Sequence, residues 1–222
     1  MITKVPLLEA ILTVTPIYFF IGNYSWEIDT HSTFLQEYKE RIENGEDAGE
    51  VAYSMHLRNN KLLRKESEWF GCFRYKYVET ENTIKIHFRN IDRTTHGPLS
   101  INNKSFRLTE LKKMFTHIKE QHPEARYVQG NSWLYNYESY RRLFPASYTK
   151  DMKVSPTNTQ YMVIWGQFLD SEWQLKRSLA NEFSLKIDAA NSVDELKSSF
   201  NFQNLAPRGR IKDFYDFYEI QL

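Results

Sequence analysis

The spacing of hydrophobic and polar positions changes several times along the chain, and each change predicts an element. Val5 to Gly22 is the longest apolar stretch, interrupted by Pro6, Glu9 and Pro16. A charge in mid-span costs about 2.5–3.5 kcal/mol on insertion scales, and the prolines leave pieces shorter than the ~20 residues a spanning helix needs. The stretch therefore reads as a buried strand centred on Ile11 to Tyr18, not as a signal or anchor, and the expected compartment is cytoplasmic, with no membrane partner. Phe34, Leu35, Tyr38 and Ile42 then form a helical stripe, with Thr33 and Gln36 at capping-box spacing and Asn44-Gly45 as its stop. A second helix runs from Asp47 to Glu66, with Ala48, Val51, Ala52, Met55 and Leu62 on one side. Arg58, Lys61, Arg64 and Lys65 fall on a solvated side.

At Trp69 the period drops to two. Phe73, Tyr75 and Tyr77 alternate with Arg74 and Lys76, and Ile84, Ile86 and Phe88 alternate with Lys85, His87 and Arg89, which predicts an antiparallel hairpin turning at Glu79 to Asn82. Leu108, Leu111, Phe115 and Ile118 mark a helix that ends before His122-Pro123. A strand over Arg126 to Tyr135, a short helix over Tyr137 to Phe144, a polar loop over Pro145 to Gln160 and a buried strand over Tyr161 to Phe168 follow. Ser171 with Gln174 and Ser192 with Glu195 have capping-box spacing. They open helices with stripes Leu175, Leu179, Phe183, Ile187 and Val193, Leu196, Phe200, and a last helix contains Phe214, Phe217 and Tyr218. The pattern predicts an α/β or α+β fold with a mixed, mostly antiparallel sheet flanked by helices and a more helical C-terminal subregion. One domain over 1–222 is expected. The loop at 145–160 is where it would divide, into a sheet-and-helix region over 1–144 and a strand plus helices over 161–222.

Composition narrows the function. With 222 residues, 41% hydrophobic, the chain can bury a core of ordinary size, and eight Gly and seven Pro leave few flexible linkers. Twenty-nine Lys and Arg against 28 Asp and Glu give a net charge of +1. No nucleic-acid partner is expected from that balance, and such binding would have to rest on a local patch. Cys72 is the one cysteine, which excludes an internal disulfide and a Cys-rich zinc site, and it reads as a small core or strand residue. No two glycines are separated by a single residue, so Rossmann and nucleophile-elbow signatures are absent, as are the Walker loop and the H-E-x-x-H zinc helix; no metal is expected.

Two clusters remain as candidate chemistry. Alternation puts His87 and Arg89 on one strand face, opposite Ile86 and Phe88, where His87 would move a proton near neutral pH and Arg89 would hold an anion. The same pattern describes a half-exposed strand. Asn131, Ser132 and Asn136, followed by Tyr140 and Arg141, lie at a strand-to-helix transition, where free backbone N–H groups favour an anion and the same side chains also suit capping. The candidate site requires these two clusters to look into one hollow, binding a small polar or anionic ligand. The alternative is a non-catalytic interaction module with an aromatic-rich surface, using residues such as Trp69, Tyr135, Tyr137, Tyr140 and Trp165.

The element order over roughly residues 5 to 170 resembles that of the GNAT acyltransferase superfamily, whose members transfer an acyl group from acyl-CoA to an amine. Asn136 with Tyr140, in a short helix ending Leu143-Phe144, is similar to the segment after that family's fifth strand, where a tyrosine protonates the leaving thiolate. The resemblance implies acyl-CoA as the cofactor, Tyr140 as the acid and His87 as a base. The family's pyrophosphate turn, Arg/Gln-x-x-Gly-x-Gly/Ala, is not matched, since Thr94 to Arg107 contains only Gly97.

Overall fold

The computed structural model describes residues 31–60, 68–90, 96–155, 162–170 and 174–221. The strand expected at Ile11 to Tyr18 lies outside them, as does Ser171. In chain order the elements are helices α1 (Thr33–Glu43) and α2 (Ala48–Asn60), strands β1 (Phe73–Val78) and β2 (Thr83–Phe88), helix α3 (Lys104–Gln121) and strand β3 (Tyr127–Gln129). Short helices α4 (Glu138–Arg141) and α5 (Ala146–Thr149), strand β4 (Lys153–Val154), helices α6 (Arg177–Ala189) and α7 (Val193–Ser198), strands β5 (Leu205–Ala206) and β6 (Arg208–Arg210), and helix α8 (Ile211–Phe217) complete the set. The fold is mixed α/β. It divides into two compact units: one holds α1, α2, α6 and α7, and the other holds β1 to β6 with α3, α4, α5 and α8.

In the first unit, α1 and α2 bury Leu35 and Tyr38 with Val51, Ala52 and Met55. The expected stop is there: Gly45 takes φ +89°, a conformation that costs a residue with a Cβ, and its N–H bonds the carbonyl of Ile42. Asp47 Oδ1 accepts from the N–H groups of Gly49 and Glu50, each at 2.9 Å, and so caps α2. At α1 the capping position is Ser32 rather than Thr33, and its side chain makes no capping bond. At α7 the Ser192 half of the box forms, and the Glu195 half reaches one residue further back. Ser192 Oγ accepts from the Glu195 N–H at 3.2 Å, while the Glu195 carboxylate accepts from the Asn191 N–H at 2.6 Å.

The second unit is built on a four-stranded sheet in the order β1-β2-β3-β6. β1 and β2 form the predicted hairpin, its turn closed by Asn82 at φ +46°. Helix α3 carries the chain from β2 to β3, which therefore pair in parallel, and β6 adds antiparallel to β3. β4 and β5 form a separate antiparallel pair. One face of the main sheet presents Phe73, Tyr75, Tyr77, Ile84, Ile86, Phe88 and Val128. It packs on Leu111, Met114, Phe115 and Ile118 of α3 and on Phe214 and Tyr218 from the C-terminal helix, with the Phe115 and Phe214 rings stacked at 4.8 Å. Gly209 sits in that face because a Cβ there would come within 3.1 Å of Tyr148.

Several elements differ from the sequence pattern; the helix expected to carry Leu175 starts only at Arg177, and Leu175 instead bridges to Leu169. Of the strand expected over Tyr161 to Phe168, the described part, Met162–Phe168, is a 3₁₀ helix, and its buried residues Ile164, Gln167 and Phe168 are three and four apart. A short apolar run does not by its period distinguish the two. The strand from Arg126 stops at Gln129, because Ser132 Oγ accepts from the Leu134 N–H at 3.1 Å and opens a 3₁₀ turn, Trp133–Asn136. The stretch after Pro145 is not all loop, since it contains α5 and β4.

Candidate functional site

The other face of the sheet follows from the same alternation. Arg74 and Lys76 of β1, Lys85 and His87 of β2, Tyr127 and Gln129 of β3, and Arg208 and Arg210 of β6 all point away from the helices. Arg89, two residues beyond His87, continues the row, its N–H bonded to the carbonyl of Cys72. Lys76, His87, Arg89, Arg208 and Arg210 are exposed. Like charges stand directly across the hairpin where Lys76 faces Lys85, while Arg74 faces the imidazole of His87. Like-charge pairs destabilise a sheet by an amount similar to what an opposite-charge pair would contribute, roughly 0.2–1 kcal/mol. Glu81 lies 3.7 Å from Lys85 at the turn, and Asp213 lies 3.3 Å from Arg210 at the start of α8.

Two aromatic rings are set among these cations. Trp69 has the guanidinium of Arg74 at 5.1 Å and that of Arg89 at 5.9 Å from its ring, and Arg208 lies 4.2 Å from the Tyr127 ring. Both distances to Arg74 and Arg208 suit a cation–π contact, and the rings remain 36% and 40% exposed. Tyr127, Arg208, Gly209 and Arg210 line an open depression of about 300 Å³ at the β6 edge.

His87 keeps part of its ring open to solvent. Crowding by neighbouring atoms, followed by the charges of Arg74, Lys76 and Lys85, pushes its pKa down to about 4. It is neutral at pH 7, and an imidazolium that acidic makes a weak base.

The remaining candidates lie elsewhere in this unit. Tyr140 is 2% exposed, and its ring meets Phe88 at 5.6 Å, Tyr135 at 4.9 Å and Phe144 at 5.1 Å. Phe88 belongs to the helix-covered face, so Tyr140 and His87 lie on opposite sides of the sheet. Burial, reinforced by the Tyr135 hydroxyl, raises the Tyr140 phenol well above its ordinary value. Asn136 Nδ2 donates to the carbonyls of Trp133 at 2.7 Å and Gln203 at 2.9 Å. Arg141 donates to the Tyr135 carbonyl and pairs with Glu138, both at 3.3 Å. Ser132 caps its own turn, and Asn131 Nδ2 donates to Ser155 Oγ at 3.3 Å. His87 and Arg89 thus share a surface, whereas Asn131, Ser132, Asn136 and Arg141 tie the β3–α4 segment to its neighbours. Lys76, Lys85, Arg208 and Arg210 were missed as candidates. The hairpin alternation held the signal for the first two, but nothing local in Pro207 to Arg210 predicts that β6 joins this sheet.

A second polar cluster is internal. Arg107 of α3 is 1% exposed, its Nη1 lies 2.9 Å from Glu110 Oε2 and contacts Cys72 Sγ, and Glu110 accepts from the Cys72 N–H at 3.2 Å. Gly71, at φ +61°, lets the carboxylate approach, since a Cβ there would fall 1.7 Å from Glu110 Oε1. Cys72 is fully buried in this arrangement, as expected of a core residue. Among the described residues no group of three or more His, Cys, Asp or Glu is placed to hold a metal, and no helix is long and apolar enough to cross a membrane. No family model, curated protein or solved structure matches the chain.

Proposed function

We propose that this protein is a binding module that holds an extended anionic ligand against the exposed face of its four-stranded sheet. The observation that carries this reading is the placement of Lys76 directly opposite Lys85, a cross-strand position where a carboxylate would stabilise the hairpin, in a face that also bears Arg74, Arg89, Arg208 and Arg210. A sheet that serves only as scaffold gains from pairing cations with carboxylates across its strands; a row of cations gains from an anion laid along it. Acyl transfer, which the GNAT resemblance implies, requires Tyr140 and His87 at one reacting centre. Their positions on opposite sides of the sheet favour binding instead.

Calorimetric titration with inorganic polyphosphate tests this reading. The affinity should fall steeply with added salt, with a slope of log K against log salt of about −0.7 per contacted phosphate of a single-stranded polyanion. The triple variant Lys76→Gln, Lys85→Gln, Arg208→Gln should bind at least tenfold more weakly. Equal binding by the variant, or none by the natural chain, refutes the assignment.

A further inference from the structure

We infer that the anionic ligand is a single-stranded nucleic acid, an inference that rests on the basic sheet face proposed above. Charge alone accepts any polyanion, so the discriminating features are Trp69 and Tyr127. Each ring is partly exposed within the cationic row, Trp69 beside β1 and Tyr127 on β3, and each is held against guanidinium groups that fix its orientation. A phosphate chain without bases has no use for two rings, whereas nucleobases stack on them and tolerate any sequence because every base has a π-face. Arginine supplies four of the six cations, and its planar fork engages a phosphate bidentately and also stacks on bases. A four-stranded sheet is wide enough to seat about two or three stacked bases. A duplex would be read through groove or backbone shape, and its stacked bases would leave the rings unused. An anionic bilayer is less well matched, since the row of cations carries no exposed aliphatic side chain to enter the acyl region. The net charge of +1 does not oppose the inference, because the cations are concentrated on one surface and only local charge is felt within a Debye length, ~10 Å at 0.1 M salt.

Fluorescence anisotropy with a labelled oligouridylate, its DNA duplex counterpart, inorganic polyphosphate and phosphatidylserine vesicles as competitors separates the cases. The single strand should bind more tightly than duplex, polyphosphate or vesicles at equal charge concentration. The double variant Trp69→Leu, Tyr127→Leu should lose at least about fivefold in oligonucleotide affinity per ring while its polyphosphate affinity stays unchanged. Both rings are partly exposed, and a thermal unfolding midpoint near that of the natural chain confirms that the variant is folded; if it is not, Trp69→Phe and Tyr127→Phe, which keep a ring, should retain binding in its place. Equal competition by polyphosphate with no effect of the aromatic substitutions overturns the nucleic-acid inference and leaves the anion-binding reading standing, as does preference for vesicles or duplex. Failure of every polyanion to bind overturns both.

Discussion

Lys76 and Lys85 face each other across the β1–β2 hairpin, on the side of the sheet turned away from the helices. This is a cost to the hairpin in isolation and an asset once an anion lies over it. Lys76→Glu should therefore raise stability by about 0.2–1 kcal/mol, read by urea unfolding, while weakening polyphosphate binding. A variant that loses both stability and affinity would mean that the lysine has a structural part the present geometry does not include.

The same surface predicts how salt acts. Replacing Arg210 by Gln should flatten the slope of log K against log salt by about 0.7, since one phosphate contact is removed. Replacing Arg58, which pairs with Glu37 at 2.7 Å in the helical unit, should leave that slope unchanged. Affinities measured at several salt concentrations check both outcomes.

His87 links the site to pH. Its folded pKa, about 4, lies below the ordinary value of 6.5, so as pH falls from 6.5 towards 4 the unfolded chain takes up the proton before the folded one and stability decreases. His87→Gln should remove that part of the acid sensitivity, seen as a smaller loss in thermal midpoint between pH 7 and pH 5. An anion over the face offsets Arg74, Lys76 and Lys85 and raises the pKa of His87. Polyphosphate binding should therefore strengthen on acidification more in the natural chain than in the Gln variant, while NMR reports the upward shift of the imidazole.

Much of the fold was legible in the sequence, for identifiable reasons. The hairpin could be read because Phe73 to Tyr77 and Ile84 to Phe88 each alternate on either side of a polar turn, and α3 because its stripe runs from Leu108 to Ile118 and His122-Pro123 ends it. Met162–Phe168 was misread because an apolar run this short fits a buried strand and a helical turn equally well. Long-range placement was not legible at all. The three residues of β6 pair with β3 from 79 to 83 positions away, and that pairing gives the basic face its Arg208 and Arg210. The separation of His87 from Tyr140 by the sheet likewise depends on how α4 packs under Phe88, a contact that no local pattern encodes.

The buried pair of Arg107 and Glu110 predicts a separate, structural effect. Removing one partner leaves an uncompensated buried charge, so Glu110→Leu should cost about 3–5 kcal/mol in chemical unfolding. Gly71→Ala should also destabilise, because it combines a left-handed backbone with a clash against the same carboxylate. Neither residue is one of the cations of the basic face, but Glu110 holds the N–H of Cys72, whose carbonyl accepts from the Arg89 N–H, so polyphosphate affinity under folding conditions should fall no further than in Arg89→Gln.

Alkaline titration reads the tyrosine-rich core. Burial first of all raises Tyr135, Tyr140, Tyr148 and Tyr218 well above their ordinary value of 10, so they favour the folded state below pH 10, and that advantage is lost as pH rises further. Their phenolate absorbance should appear together with the loss of near-ultraviolet circular dichroism rather than ahead of it.

The central claim is that the sheet face opposite the helices is the binding surface, and backbone amide NMR during a polyphosphate titration tests it most directly. Shifts should concentrate at Arg74, Lys76, Lys85, His87, Arg89, Tyr127, Arg208 and Arg210 and saturate together. Saturable shifts confined to α1, α2, α6 and α7, or around Asn131, Ser132 and Asn136, would contradict it.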